Sequence, residues 1–270
     1  MYIKTEHEMA LIIEGGRILG SILEKLAAMV QPGVSAWEID KKAEQFIRKA
    51  GGLPAFKGYR SQPGDTPFPS TICASLNEEV VHGIPRKDKI FSEGDLFSID
   101  IGMEYPRKSG EGHNGNGFIT DTALTLGIGS ISKEKADLIR ATREALYKGI
   151  SEIKVGASIA AIGRTIESYI KPQGYGIVRD LVGHGVGYAL HEEPRVPNFY
   201  DRALERWKCR LGMVIAIEPM ITMGDEDVET APDGWTILSS DRSLSAHFEH
   251  TIALTAQGPI VATERPSDRF

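Results

Sequence analysis

The sequence is poor in cysteine: Cys73 and Cys209 are the only two among 270 residues. Two thiols cannot build the disulfide framework on which small exported domains depend, and a chain this long does not need one to bury a core. A reducing cytoplasm is the expected setting. An apolar run of about 18 residues, as a spanning helix requires, is also missing, and Met1-Tyr2-Ile3-Lys4 leads into charged residues instead of a signal-peptide core. No membrane association is expected. A basic excess is lacking too, since 31 Lys and Arg face 37 Asp and Glu for a formal net charge of -6. That balance disfavours nonspecific nucleic-acid and anionic-membrane binding. No Ser- or Gln-rich linker divides the chain, so a single domain is expected.

What is present is a globular composition, 41% hydrophobic and 25% charged, with glycine in mild excess at 29 residues. Apolar residues at helical spacing (Leu11, Ile12, Leu19, Ile22, Leu23, Leu26) predict a first helix over 6–30. Ser35 with Glu38 three residues later is a capping-box signature opening a second, which ends near Gly51-Gly52. Residues 133–153 and 158–170 read as another helix pair. A shift of 123 residues superposes Gly33 on Gly156, Ser35 on Ser158, Ile39 on Ile162 and Gly51 on Gly174. The coincidence predicts two related halves, about 6–126 and 133–261. Each half continues into strands, over 97–101 and 117–126 in the first and 213–218 and 248–254 in the second, with period-two alternation. The expected fold class is α+β, one domain over 1–263 with an antiparallel sheet and helices on one face. The polar residues 264–270 read as a flexible tail.

Each of the four strand regions carries an acid where core residues surround it: Asp100 in FSIDIG, Asp121 in GFITDTALTLG, Glu218 in IAIEPM and Glu249 in SAHFEHT. One buried, unpaired carboxylate is expensive, and four together would repel. Divalent cations resolve both costs. Asp100 and Asp121 could face each other across their hairpin. An imidazole completes a mixed oxygen and nitrogen donor set suited to manganese, iron, cobalt or zinc; the candidate is His184 in VGHGVGYALHEEP, flanked by glycines, with His191 seven residues on. His82, in SLNEEVVHGIP, is followed three residues later by proline, as His191 is. Two divalent ions would neutralise four carboxylates, so part of the acidic excess is internal to the fold. On these residues alone, the sequence describes a metal-dependent α+β hydrolase.

These motifs resemble those of the type I methionine aminopeptidases over nearly the whole chain. The resemblance implies the pita-bread (creatinase/aminopeptidase) fold, with two pseudo-symmetric halves of helix pairs on a curved antiparallel sheet. It assigns Asp100, Asp121, His184, Glu218 and Glu249 as ligands of a dinuclear centre of Co, Mn, Fe or Zn. His82, His191 and Glu218 become catalytic residues, and Tyr59, Cys73 and Trp235 join His82 and His191 in binding substrate. The implied activity is removal of the initiator methionine from nascent polypeptides when the second residue is small, by hydroxide attack at that centre. A cytoplasmic monomer with transient ribosome association, and with no specific nucleic acid, is the implied setting. Three positions depart from the usual pattern: Phe56 where a second Cys is common, Gln62 near an expected aromatic, and Leu190 where Phe is common. The segment 103–116, containing His113, is longer than usual and reads as a flexible loop. Xaa-Pro aminopeptidases and prolidases share the metal set but generally carry a large extra N-terminal domain, and here 99 residues precede Asp100. A non-catalytic relative of the same fold is the other alternative; such proteins lose ligands, and all five stand here.

Overall fold

The computed structural model describes residues 2–107 and 116–268. Most of the loop expected between the two Asp strands, including His113, lies outside these residues. Four α-helices form where the periodicity places them: α1 (Glu6–Ala27), α2 (Ala36–Lys49), α3 (Lys133–Ser151) and α4 (Ile159–Ile170). The Ser35–Glu38 capping box is present at α2, and a second one, Thr5 with Glu8, starts α1. Each cap stabilises its helix by about 1 kcal/mol by satisfying N–H groups that have no partner in the first turn.

The two halves repeat local geometry at the predicted interval. Gly33 and Gly156 both take φ values near those only glycine adopts cheaply, 89° and 84°. Their amides donate to the equivalent carbonyls of Phe91 and Cys209, and Ser35 and Ser158 cap the helices that follow.

The main sheet has nine strands among the described residues, all paired antiparallel. At its centre the hairpin Leu96–Tyr105 and Phe118–Gly127 from the first half joins Glu249–Thr255 and then Val214–Ile217 from the second. The short strands Gly183–Gly185 and Glu192–Val196 continue that edge. Ile72–Leu76 also pairs with Leu96–Tyr105. The helices pack on the sheet mainly through a core in which Leu19, Leu23, Ile39, Leu146 and Ile162 meet Phe97, Ile99, Ile101, Ile217 and Ile252.

One expectation is corrected. Residues 264–268 are not a loose tail: Arg265 is 1% exposed, and a short 3-10 helix follows it at Pro266–Asp268. The guanidinium of Arg265 donates to the Asp268 carboxylate and to the backbone carbonyl of Ala123, and Asp268 lies 3.2 Å from His250. Polar composition here serves a buried ion pair that closes against the sheet, which composition alone reads as disorder.

Candidate metal centre

Strand pleating carries the acids to one side of the sheet. In Leu96–Tyr105, Phe97, Ile99 and Ile101 belong to the helix-facing core, so Asp100 points to the other face. Leu124 and Leu126 place Asp121 and Ala123 opposite the core in the same way, and Ile252 and Leu254 do so for Glu249. Glu218 follows Ile215 and Ile217 by the same parity. Ala123 sits directly between Asp100 on one neighbouring strand and Glu249 on the other. Asp121 is opposite Gly102, so Asp100 and Asp121 are diagonal neighbours and not the facing pair their hairpin suggested.

His184 enters from the short strand Gly183–Gly185, where close approach explains both glycines. A Cβ at Gly183 would stand 2.4 Å from the Ala216 carbonyl oxygen, and one at Gly185 2.5 Å from that of Glu193. The Nδ1 of His184 lies 3.0 Å from the Gly185 carbonyl. Donation there leaves Nε2 as a free lone pair, the arrangement a metal-binding imidazole needs. That Nε2 is 3.4 Å from Oε1 of Glu218. One donor atom each from Asp121, His184 and Glu249 lie within 4.8 Å of one another. Asp100 and Glu218 border the same cavity.

The donors fit divalent ions for a reason independent of shape. Asp100 Oδ1, Asp121 Oδ1 and Glu249 Oε1 are buried with no hydrogen-bond partner among the described residues, and buried polar atoms are rarely left so. Burial, then mutual repulsion, pushes Asp100 and Glu249 well above the usual carboxylate range. Glu218 is raised well above it by burial and the nearby Asp121, and burial takes Asp121 to about 7. Burial lowers His184 to about 3, keeping it neutral. This cluster either holds protons or exchanges them for cations.

Residues 10–256 match the sequence profile of Metallopeptidase family M24. A methionine aminopeptidase of Clostridium acetobutylicum is 41% identical over 261 residues, covering 97% of this chain and 98% of that protein. The chain belongs to the methionine aminopeptidases of metallopeptidase family M24. The crystal structure of a methionine aminopeptidase from Thermotoga maritima superposes with a TM-score of 0.89 at 36% identity, covering 98% of this chain and all of that one. A prolidase from Pyrococcus furiosus shares the fold, with a TM-score of 0.72 at 23% identity, but this chain covers only 65% of it. Both carry the pita-bread architecture, and divalent-metal use comes with the family.

Beside the carboxylates of this M24 peptidase lies an apolar pocket. Phe56, Phe68, Cys73 and Leu190 form its buried wall, with Tyr59 and Trp235 packed against them. Two of the three departures from the usual pattern, Phe56 and Leu190, therefore line the pocket; Gln62 is exposed and engaged with Asp65. Cys73 pairs across from Asp100. Burial and the surrounding carboxylates push its thiol well up, so it is a neutral soft surface and no nucleophile. His82 holds φ at 57°, a left-handed value for a non-glycine residue. Its ring stands edge-on to Trp235, 6.3 Å between centroids. Such conformations persist where surrounding structure enforces them.

His191 stands at the cavity mouth, and its Nδ1 lies 2.6 Å from the Tyr59 hydroxyl. The turn that carries it is fastened from below. Glu192 accepts from the amides of Tyr188 and Ala189 and, at 2.5 Å, from a Lys4 ammonium as buried as itself. Sequence reasoning passed over Lys4, whose partner lies 188 residues away. It also passed over His247, discussed below, although that residue stands two positions before Glu249 in a string singled out for its acid.

Proposed function

We propose that this chain is a metal-dependent methionine aminopeptidase that removes initiator methionine from nascent polypeptides when the second residue is small. The observation that carries this reading is the convergence of four carboxylates and His184, several of their atoms unpartnered, beside an apolar pocket. Asp100, Asp121, His184, Glu218 and Glu249 would hold two ions of Co, Mn, Fe or Zn, whose charges balance the four carboxylates. Bound there, the ions supply Lewis acidity toward a carbonyl, an anchor for a free α-amine and a lowered pKa for water.

The chain's own side chains do the rest. Phe56, Tyr59, Cys73 and Trp235 receive an unbranched thioether and exclude water from it. Glu218 faces the ligand His184 with one oxygen and is the carboxylate placed to carry a proton from water to the leaving amine. With the Tyr59 hydroxyl donating to Nδ1 of His191, Nε2 carries the proton and can donate to the developing oxyanion. His82, held neutral by burial with its pKa down at about 4, offers a hydrogen bond to the scissile amide or the residue beyond it. A cytoplasmic monomer in transient contact with ribosomes is the form in which such an enzyme would meet its substrate.

The test is methionine release from Met-Ala-Ser compared with hydrolysis of Xaa-Pro peptides by the Mn2+-supplemented protein. The proposal predicts turnover of the first only, with Glu218→Gln and His191→Ala each lowering kcat by about 10²-fold or more. Preference for Xaa-Pro, or near-wild-type turnover by either variant, would overturn it.

A further inference from the structure

His247 closes the strand Ser245–His247, is 1% exposed, and has no hydrogen-bond partner at either ring nitrogen among the described residues. An imidazole carries at least one N–H in any protonation state, so burying both nitrogens without partners is a standing cost. The backbone that carries the ring is held on both sides. Its strand pairs with Met220–Thr222, Met220 opposite His247, which fixes it beside the chain that has just left Glu218. Its amide donates to the Thr125 hydroxyl and its carbonyl accepts from that same hydroxyl, which also contacts Ser98. His247 is thereby tied to both strands of the Asp100–Asp121 hairpin.

The ring faces Glu218. Nε2 of His247 is 3.7 Å from Oε2 of that carboxylate, while Oε1 faces Nε2 of His184 at 3.4 Å. Glu218 thus stands between two imidazoles, one on the metal side and one behind. We propose that His247 is a positioning residue: its Nε2–H holds Oε2 of Glu218, so that Oε1 is presented to the metal site and the carboxylate cannot rotate away. Reaching hydrogen-bond distance requires a shift of under about 1 Å, within the tightening such contacts undergo when a site engages its substrate. The donor satisfies an orphaned nitrogen and restrains the side chain of a ligand whose backbone carbonyl Asn198 Nδ2 already holds at 3.0 Å.

This inference rests on reading Glu218 as a metal ligand and proton carrier, and its test keeps the two apart. Wild type, His247→Leu and His247→Gln are compared by calorimetric titration with Mn2+ alone, and by kcat and KM on Met-Ala-Ser. Loss of a hydrogen bond behind a metal ligand weakens affinity or activity by about 10–100-fold. The Leu variant should lose about tenfold or more in Mn2+ affinity and in kcat with little change in KM, and Gln, which keeps an N–H donor, should recover to within about threefold. Wild-type Mn2+ affinity and kcat in the Leu variant would overturn the proposal. So would a Gln variant that melts like wild type yet loses tenfold in both, and this second arm stands even if the Leu variant does not fold. If no variant or wild type releases methionine, the Mn2+ isotherms still decide the role of His247.

Discussion

Stripping the metal should make this protein's stability fall with rising pH above neutrality. Asp100, Glu218 and Glu249 have folded-state pKa values raised well above the carboxylate range, and Asp121 is raised to about 7. The folded, metal-free protein therefore holds protons that the unfolded chain releases near pH 4. Its stability falls with rising pH for as long as those protons remain. The buried histidines act oppositely: His82 and His250 near 4, and His184 and His247 near 3, stay neutral when folded, whereas the unfolded chain protonates them below about pH 6.5. Their contribution rises with pH through the unfolded value near 6.5 and levels off by about pH 7.5. Above about pH 7.5 the carboxyl groups dominate the slope. Each one still protonated costs roughly 1 kcal/mol per pH unit. For a chain of this size, each group still protonated lowers Tm by on the order of 2–4 °C per pH unit above pH 7.5. Divalent ions ionise the same groups and remove the slope. Melting curves of EDTA-treated and Mn2+-loaded protein across pH 7.5–8.5 measure the difference. A chelated protein whose Tm stays flat or climbs over that range would refute the reasoning.

Other outcomes follow from single contacts. Tyr59→Phe keeps the pocket wall but removes the hydroxyl at His191, so kcat should fall by about tenfold with KM nearly unchanged, and the 15N shifts of His191 should report a changed tautomer population. A shift in KM alone would mean that Tyr59 serves only the pocket. Arg265→Ala leaves Asp268 and the Ala123 carbonyl without their buried partner, and should destabilise the fold by about 3–5 kcal/mol in urea titration. An unchanged midpoint would return residues 264–268 to the status of a tail. Lys4→Met uncouples Glu192 from the N-terminal segment; a loss of both stability and kcat is expected, because the same carboxylate fastens the turn that presents His191.

The legible part of this molecule was its parity. Alternation in four strands gives both the helix-facing core and the face on which an acid appears, so Asp100, Asp121, Glu218 and Glu249 were readable as a set. The Ser35 cap and the glycine at the end of each helix pair were readable for a similar reason, since local hydrogen bonding dictates residue type. Register was not readable: Ala123, not Asp121, turned out to face Asp100, because pairing depends on where the hairpin closes. Contacts over long separations were hidden as well. The Lys4–Glu192 pair and the Arg265 network place charges in the interior that composition counts as surface. His247 was overlooked for a different reason, since a lone histidine in a strand signals nothing until its neighbour across the sheet is known.

Methionine removal should require divalent ions held by the buried carboxylates and His184. Titrating Mn2+ into chelated protein while following both binding and release of methionine from Met-Ala-Ser tests it most directly. No release is expected without metal, with full recovery as the site fills and saturation at two ions per chain. Methionine release that persists after exhaustive chelation, or Mn2+ binding that is unaffected by Asp121→Asn and Glu249→Gln, would contradict it.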